Sequence, residues 1–330
     1  MTKKRVLVTG GTGFTGGYLL RHLCEQGMEV HAIRRQSSDI SAFADLPITW
    51  FVGNVYDEAV LREAMQGVQI VYHLAAAYRV TNLPDKEYVD VHLTSTQILG
   101  RLALEQADFE RFVLVSTIGV MGHIDNPPAD ESAPYRPGDL YQSTKADAEK
   151  WFIEFGAQNN IDWTVVRPAA IYGPGDRRLL KLFKLAKLPI IPLIGWSRGL
   201  YHLIHVEDLS RFIIHSSLHA DARGEIYICG DKETSSIKEV LQFITEKMGK
   251  KARFFRIPAA PIFLLSRIVD WTARKLNMEP FIYPRRIAFF TKDRAFDTRK
   301  MQSLGDFEYR YDKRSGVTEL VDWYRNQGWL

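Results

Sequence analysis

Tyr141-Gln142-Ser143-Thr144-Lys145 sets a phenol and an ammonium four residues apart, on one face if the segment is helical. A free phenol titrates near roughly 10, so a neighbouring cation is what makes it an acid–base group near neutrality. The spacing alone proves little, because 14 Tyr and 17 Lys among 330 residues supply about 0.7 such pairs by chance. Tyr309 and Lys313 form a second pair. Position separates the two. Tyr141 follows the strand-like Val113-Leu114-Val115-Ser116-Thr117, which puts Thr117 at the carboxyl edge of a sheet, where ligands of open α/β sheets collect.

A second constellation lies near the N-terminus, in Val6-Leu7-Val8-Thr9-Gly10-Gly11-Thr12-Gly13-Phe14-Thr15-Gly16. It carries glycines at 10, 13 and 16, and also the Gly11-x-Gly13-x-x-Gly16 spacing. Glycine lets backbone approach a pyrophosphate, whose charge the amides of a following helix can meet. Strand, turn, helix and second strand follow in register here, so the string predicts a dinucleotide site. The second strand ends in Ile33-Arg34-Arg35-Gln36-Ser37-Ser38, where a carboxylate would bind the ribose hydroxyls of NAD. Guanidinium groups beside hydroxyl residues suit a 2′-phosphate instead. NADP(H) is therefore the favoured cofactor, with NAD(H) as the alternative.

His205-Val206-Glu207-Asp208 has metal-ligand residue types, but groups this close along a chain cannot all converge. A strand end leading into a helix, with the two acids at its N-terminus, is the reading, and no metal is expected. Arg177, Arg178, Lys181, Lys184 and Lys187 recur every third or fourth residue. They read as a solvated helical face, with substrate or membrane contact as the alternative.

These groups need a scaffold, and the first 170 residues alternate short apolar runs with amphipathic stretches, the pattern of βα units on a parallel sheet. Strands are predicted at Arg5–Thr9, Glu29–Arg34, Thr49–Val52, Gln69–Leu74, Arg111–Ser116 and Asp162–Arg167. Helices are predicted at Phe14–Gln26, Glu87–Ala107 and Asp139–Phe155. Beyond Gly173 helical pieces are expected around 178–187, 207–217 and 236–248, and the stretch bracketed by Pro258, Pro261, Pro280 and Pro284 has no assigned element. The expected fold class is α/β: a Rossmann-type doubly wound parallel sheet over residues 1–173, and a smaller mixed substrate-binding part over 174–330 with segments returning to the first.

The composition is that of a globular chain: 46% hydrophobic, 25% charged, 12% aromatic, which is too apolar for disorder. Apolar runs at 188–195 and 257–265 are too short, and too broken by proline, to span a bilayer. Met1-Thr2-Lys3-Lys4-Arg5 leads straight into a strand, and Cys24 and Cys229 are the only cysteines. The expectation is a cytoplasmic protein without disulfide or structural zinc. Charge is uneven: up to Gly173 there are 15 cations and 21 anions, and beyond it 28 and 18. The basic part points to an anionic or lipid-like partner rather than nucleic acid, since no basic-aromatic binding motif accompanies it.

Taken together, the motifs resemble the extended short-chain dehydrogenase/reductase family, also called the epimerase/dehydratase family. The matches are the glycine string, Tyr72-His73-Leu74-Ala75-Ala76, Ser116-Thr117, Tyr141/Lys145, Arg167-Pro168-Ala169-Ala170-Ile171-Tyr172-Gly173-Pro174-Gly175-Asp176 and His205-Val206-Glu207-Asp208. The resemblance implies Tyr141 as acid/base, Lys145 holding the nicotinamide ribose and lowering the tyrosine pKa, and Thr117 bonding the reacting oxygen. It implies cofactor contacts from Gly10, Thr12, Gly13, Phe14, Thr15, Gly16, Arg34, Arg35, Asn54, Val55, Leu74, Ala75, Ala76, Tyr141, Lys145 and Pro168. Asn54 stands where the family usually has Asp, and His92 where it usually has Asn; a packed histidine is the expectation at 92.

Dehydratases of the family follow the threonine with Asp-Glu, whereas Ile118-Gly119 follows Thr117. The Ile-Arg-Arg strand ending resembles the branch holding dihydroflavonol reductases and 3β-hydroxysteroid dehydrogenases. Ile257–Leu265, with Trp271, Phe281 and Tyr283 beyond, suits a bulky apolar substrate or lipid contact. The expectation is an NAD(P)-dependent dehydrogenase/reductase acting on a sterol- or flavonoid-like ketone or secondary alcohol, as a homodimer, with a nucleotide-sugar 4-epimerase as the alternative.

Overall fold

A computed structural model describes residues 3–78, 83–195, 199–275 and 294–330. Seven parallel strands form the central sheet in the order β11-β6-β5-β4-β1-β2-β3. They are β1 (Arg5–Thr9), β2 (Glu29–Arg34), β3 (Ile48–Val52), β4 (Ile70–His73), β5 (Arg111–Val115), β6 (Trp163–Pro168) and β11 (Glu225–Cys229). Every residue of β4, β5 and β6 is buried, as expected of a parallel sheet covered by helices on both faces. The order reverses at β1: β2 and β3 lie on one side of it, and β4, β5 and β6 on the other. That crevice at the carboxyl ends is where the glycine turn after β1 emerges.

The first helices are α1 (Phe14–Glu25), α2 (Glu58–Ala64), α3 (Asp85–Val89), α4 (Ser95–Leu104) and α5 (Leu140–Gln158). The predicted helix at Glu87–Ala107 is instead α3, a π-turn over Asp90–Thr94, and α4. Its apolar periodicity continues through the π-turn, so the sequence pattern does not register the widened turn. α5 is capped by the Asp139 carboxylate, which accepts from Gln142 N at 2.8 Å.

Segments beyond residue 173 return to this sheet. β11 pairs with β6 from Glu225↔Thr164 to Cys229↔Pro168, and α7 (Val206–Leu218) packs on α1. One apolar core accordingly joins Val6, Leu20 and Val113 to Leu209, Phe212 and Met301. α7 begins where His205 ends a strand, with Glu207 and Asp208 in its first turn, as expected. Among the described residues no His/Cys/Asp/Glu group could hold a metal ion.

The remaining part is built from two-stranded pieces. β7 (Ala170–Tyr172) pairs with β10 (Leu203–His205), β9 (Leu200–Tyr201) with β12 (Ser235–Ser236), and β8 (Ile191–Ile194) with β13 (Phe254–Ile257). α6 (Leu180–Ala186), α8 (Ile237–Lys247) and the C-terminal helix Lys313–Asn326 enclose a separate core of Phe183, Leu241, Leu320 and Tyr324. α9 (Ala259–Lys275) occupies the start of the proline-bracketed stretch; Pro280, Phe281, Tyr283 and Pro284 lie outside the described residues. No described helix is long and apolar enough to cross a membrane.

Candidate active site

The glycine turn is shaped by steric need. Gly10 adopts φ +75°, and a Cβ there would sit 2.8 Å from Ala75 N. A Cβ on Gly16 would lie 2.1 Å from Gly10 O, so the helix start can close on the strand end only without a side chain. Gly13 is the N-cap of α1 and offers its amides no side-chain partner, and no acidic residue stands in the first turn. Amides left unspent at a helix N-terminus beside a bare glycine turn fit an anionic pyrophosphate. Phe14 starts α1, with the Arg178 guanidinium 5.7 Å from its ring centroid.

At the end of β2, the Arg34 Nε is buried with no hydrogen-bond partner among the described residues. Its Nη1 reaches only Arg35 O, at 3.5 Å, and Arg35 is exposed. A guanidinium with unspent donors at this strand end fits a phosphate. Asn54 is exposed and Val55 half-buried beyond the neighbouring β3.

Two buried histidines tie the loop after β4 to the helices. Ala75 N donates to Thr9 Oγ1 (3.3 Å), which lies 2.6 Å from His73 Nδ1. Ser95 Oγ donates to Val91 O and therefore accepts from His73 Nε2 at 3.0 Å, which places the histidine proton on Nε2. His92 takes the opposite tautomer. Its Nε2 accepts from Ala77 N at 3.0 Å, so Nδ1 donates to Thr144 Oγ1 at 2.8 Å, and that hydroxyl donates on to Leu140 O at 2.9 Å. Burial and the Lys145 charge push His73 down to about 3 and His92 down to about 2, so both stay neutral. His92 is thus the packed histidine expected. It is also a clasp between the loop after β4 and the first turn of α5.

That first turn carries Tyr141. His92 meets its ring edge-on at 5.3 Å and Tyr78 meets it at 5.0 Å. The Thr117 hydroxyl hydrogen-bonds the Tyr141 phenol and also accepts from Gly119 N at 3.0 Å. Lys145, one turn on, is almost fully buried, and its Nζ donates to Val115 O at 2.9 Å and Ala75 O at 3.5 Å. Burial lowers the ammonium to about 8, opposed by Glu149 one further turn along. Glu149 is itself held by Arg167, Tyr135 and Ser116 in a buried cluster joining β5, β6 and α5.

Thr117, Tyr141 and Lys145 are therefore brought together at the carboxyl edge of the sheet, with Leu74, Ala75 and Ala76 on the adjoining strand end and Pro168 ending β6. One expectation differs. In this structure burial drives the Tyr141 phenol well above its ordinary range, and the cation that opposes this is Arg178. Lys145 spends two of its three N–H groups on backbone carbonyls.

Arg178 was expected on a solvated helical face. α6 begins only at Leu180, and Asp176, nearly fully buried, accepts from Arg178 Nε at 2.7 Å. Arg177 lies over the Trp329 ring instead. Neither Arg178 nor Tyr78 stood out by spacing; the Asp-x-Arg pair directly after Gly173-Pro174-Gly175 was the available signal for the first. Tyr309 and Lys313 do not form a helical pair, because the C-terminal helix starts at Lys313 and Tyr309 precedes it.

Residues 6–230 match the family described as the NAD dependent epimerase/dehydratase family. The sterol demethylase protein B of Methylococcus capsulatus is 27% identical, over 98% of this chain and 99% of that protein. A 3-beta-hydroxysteroid dehydrogenase of Mycolicibacterium neoaurum is 26% identical, over 97% of this chain and 91% of that protein. Among solved structures, that of gox2253 superposes with a TM-score of 0.81 at 25% identity, over 99% of this chain and all of that one.

Proposed function

The chain belongs to the NAD dependent epimerase/dehydratase family, and from that premise we propose that it is an NAD(P)-dependent oxidoreductase acting on the ketone or secondary alcohol of a bulky, apolar, sterol- or flavonoid-like substrate. The observation that carries the reading is the set Thr117, Tyr141 and Lys145 beside the glycine turn, with Ile118-Gly119 where a dehydration would need acids. Relatives named for sterol and steroid chemistry along nearly the whole chain support the substrate class.

When bound, the dinucleotide supplies or accepts the hydride. Gly10, Thr12, Gly13, Phe14, Thr15 and Gly16 hold its pyrophosphate, Asn54 and Val55 flank the adenine, and Leu74, Ala75, Ala76 and Pro168 line the nicotinamide side. Arg34 and Arg35 take a 2′-phosphate, which makes NADP(H) the preferred form. Thr117 positions the substrate oxygen against Tyr141. In reduction the Tyr141 phenol gives its proton to that oxygen, and in oxidation the phenolate removes it. Lys145 keeps positive charge beside the ribose and the phenol while the pH stays below about 8, its depressed value. A buried phenol becomes a base only when enough positive charge faces it, so the tyrosine is activated in the loaded site rather than in the protein alone.

The test is to supply ketosteroids, flavonoids and UDP-sugars in turn and follow nicotinamide absorbance together with product. Cofactor oxidised or reduced in step with an apolar product is the expected result. Product formed from a UDP-sugar with no net cofactor change would replace this reading with a 4-epimerase.

A further inference from the structure

α9 packs through a stripe of Ile262, Phe263, Val269 and Ala273, and still leaves large apolar side chains outside. Ser266, a hydroxyl residue, is fully buried on its inner side, while Leu264 and Leu265 are 63% and 52% exposed. Two adjacent leucines on the outer face of a surface helix stand apart from that buried stripe. The same lobe exposes Leu188, Ile190 and Phe255. The fold brings part of this set together. β8 and β13 pair with Phe254 opposite Ile191, and Ile191 N donates to Arg253 O at 2.7 Å. That register brings Ile190 and Phe255 to one sheet edge, and α9 starts directly after Pro258. Leu264 lies about 8 Å along the helix axis from that start.

The charge along these stretches is mostly of one sign, with Asp270 the one acid of α9. Residues 181–195 and 250–269 contain Lys181, Lys184, Lys187, Lys250, Lys251, Arg253, Arg256 and Arg267 and not one acid. All eight are exposed, and Lys250 Nζ donates to Lys187 O, which fastens the two stretches together. Among the described residues, Lys181, Lys184, Lys187, Lys251, Arg253 and Arg267 have no ion-pair partner. Much of the positive excess beyond Gly173 therefore sits at the β8/β13 edge and α9, around exposed leucines, isoleucine and phenylalanine.

We propose that this face docks on an anionic phospholipid bilayer. Isolated exposed apolar residues are ordinary, but five of them on segments that also carry six unpaired cations supply the two components of interfacial binding: shallow apolar insertion and attraction to acidic headgroups. A fluid acidic surface receives exposed leucines and a phenylalanine without a shaped pocket, whereas an acidic protein partner would need one complementary to them. The inference does not depend on which alcohol or ketone is the substrate, and it would hold equally for an epimerase.

The full chain is sedimented with vesicles of phosphatidylcholine alone and of phosphatidylcholine mixed with phosphatidylglycerol. Binding to the mixed vesicles only, weakening as salt is raised, is expected. Each cation removed near an anionic surface costs about fivefold in binding, so Lys187→Gln with Arg253→Gln lowers it about 25-fold. Leu264→Ser with Leu265→Ser removes binding at high salt while far-ultraviolet circular dichroism and cofactor binding stay as in the parent. No binding to mixed vesicles, equal binding to both vesicle types, or variants that bind like the parent would overturn the proposal. So would self-association abolished by Leu264→Ser/Leu265→Ser with no vesicle binding, because the face would then join two copies of the chain.

Discussion

Two tyrosines in this chain stand four residues before a lysine, and their surroundings are opposites in every respect but one. Burial raises both phenols above their ordinary range. Tyr309 spends its hydroxyl on Gly230 O at 2.9 Å, and Lys313 is paired with Glu233 at 3.0 Å and Glu239 at 3.6 Å, which raises its pKa. Tyr141 meets the Thr117 hydroxyl, and Lys145 is buried without a direct carboxylate partner, its pKa lowered. A lysine neutralised by two carboxylates can lend no field to a phenol. One held on backbone carbonyls has no carboxylate beside it to cancel its charge, although burial lowers its pKa and Arg178 is the cation that acts on the Tyr141 phenol. Spacing is shared; the difference lies in where the positive charge goes.

The largest break between the two regions should come from removing the hydroxyls. Tyr141→Phe keeps the ring packed between His92 and Tyr78 but leaves no transferable proton, so kcat should fall by about 10² or more with cofactor affinity little changed. Steady-state turnover alongside fluorescence titration of reduced nicotinamide checks both halves. Near-parental kcat would remove Tyr141 from the chemistry.

The next effect sharpens what unspent donors mean. Arg34 has a buried Nε without a partner, and a charge-assisted pair with a 2′-phosphate would fill it. Arg34→Ala should raise Kd for NADPH by about tenfold and leave NADH nearly unchanged. Equal losses for both would mean that the guanidinium stacks on adenine, and the NADP preference would have to go.

How far the sequence exposes these regions follows from their physics. Strands buried on both faces read as continuous apolar runs, so β1, β2, β4, β5 and β6 were found within a residue or so of their ends. Thr117 and the glycine turn are legible because each follows a strand, and Tyr141 because it opens the helix that leads to the next strand. β11 is not assigned from the sequence, although it completes the sheet, because Glu225-Ile226-Tyr227-Ile228-Cys229 is a short edge strand whose first two residues are only half-buried. The two-residue β9 and β12 are too short to generate any period. Arg178 was misplaced on a helix by its spacing with Lys181 and Lys184, whereas Asp176 holds it against the site through a contact two residues apart. His92 was recognised as packed, but its two hydrogen bonds join groups 15 and 52 residues away, which no local pattern encodes.

His92 yields the third prediction, on pH. It and His73 are neutral in the folded chain, with values of about 2 and about 3, and take up protons near 6.5 once unfolded. The unfolded chain therefore binds more protons as pH drops below about 6.5, and stability falls by about 1.4 kcal/mol per pH unit for each histidine. Above about 6.5 neither contributes a slope. Urea unfolding of His92→Asn across the acid range should show the slope reduced by one proton, with turnover near neutrality retained because an amide can both donate and accept. An unchanged slope would mean that the ring is already charged when folded, contrary to its bond to Ala77 N.

The smallest effect is the control on the whole comparison. Tyr309→Phe removes the hydrogen bond that the phenol donates to Gly230 O at 2.9 Å, with the Met301 sulfur also in reach of that proton at 3.3 Å, which should cost about 1 kcal/mol of stability. Turnover should not change, because Lys313 has its charge committed to Glu233 and Glu239 and the pair does not share a helix. Thermal unfolding and kcat measured on one preparation separate the two quantities. A lowered Tm with parental kcat is the expected pattern. A parental Tm with lost turnover would mean that the second pair does the chemistry, and the argument from strand-end placement would fail with it.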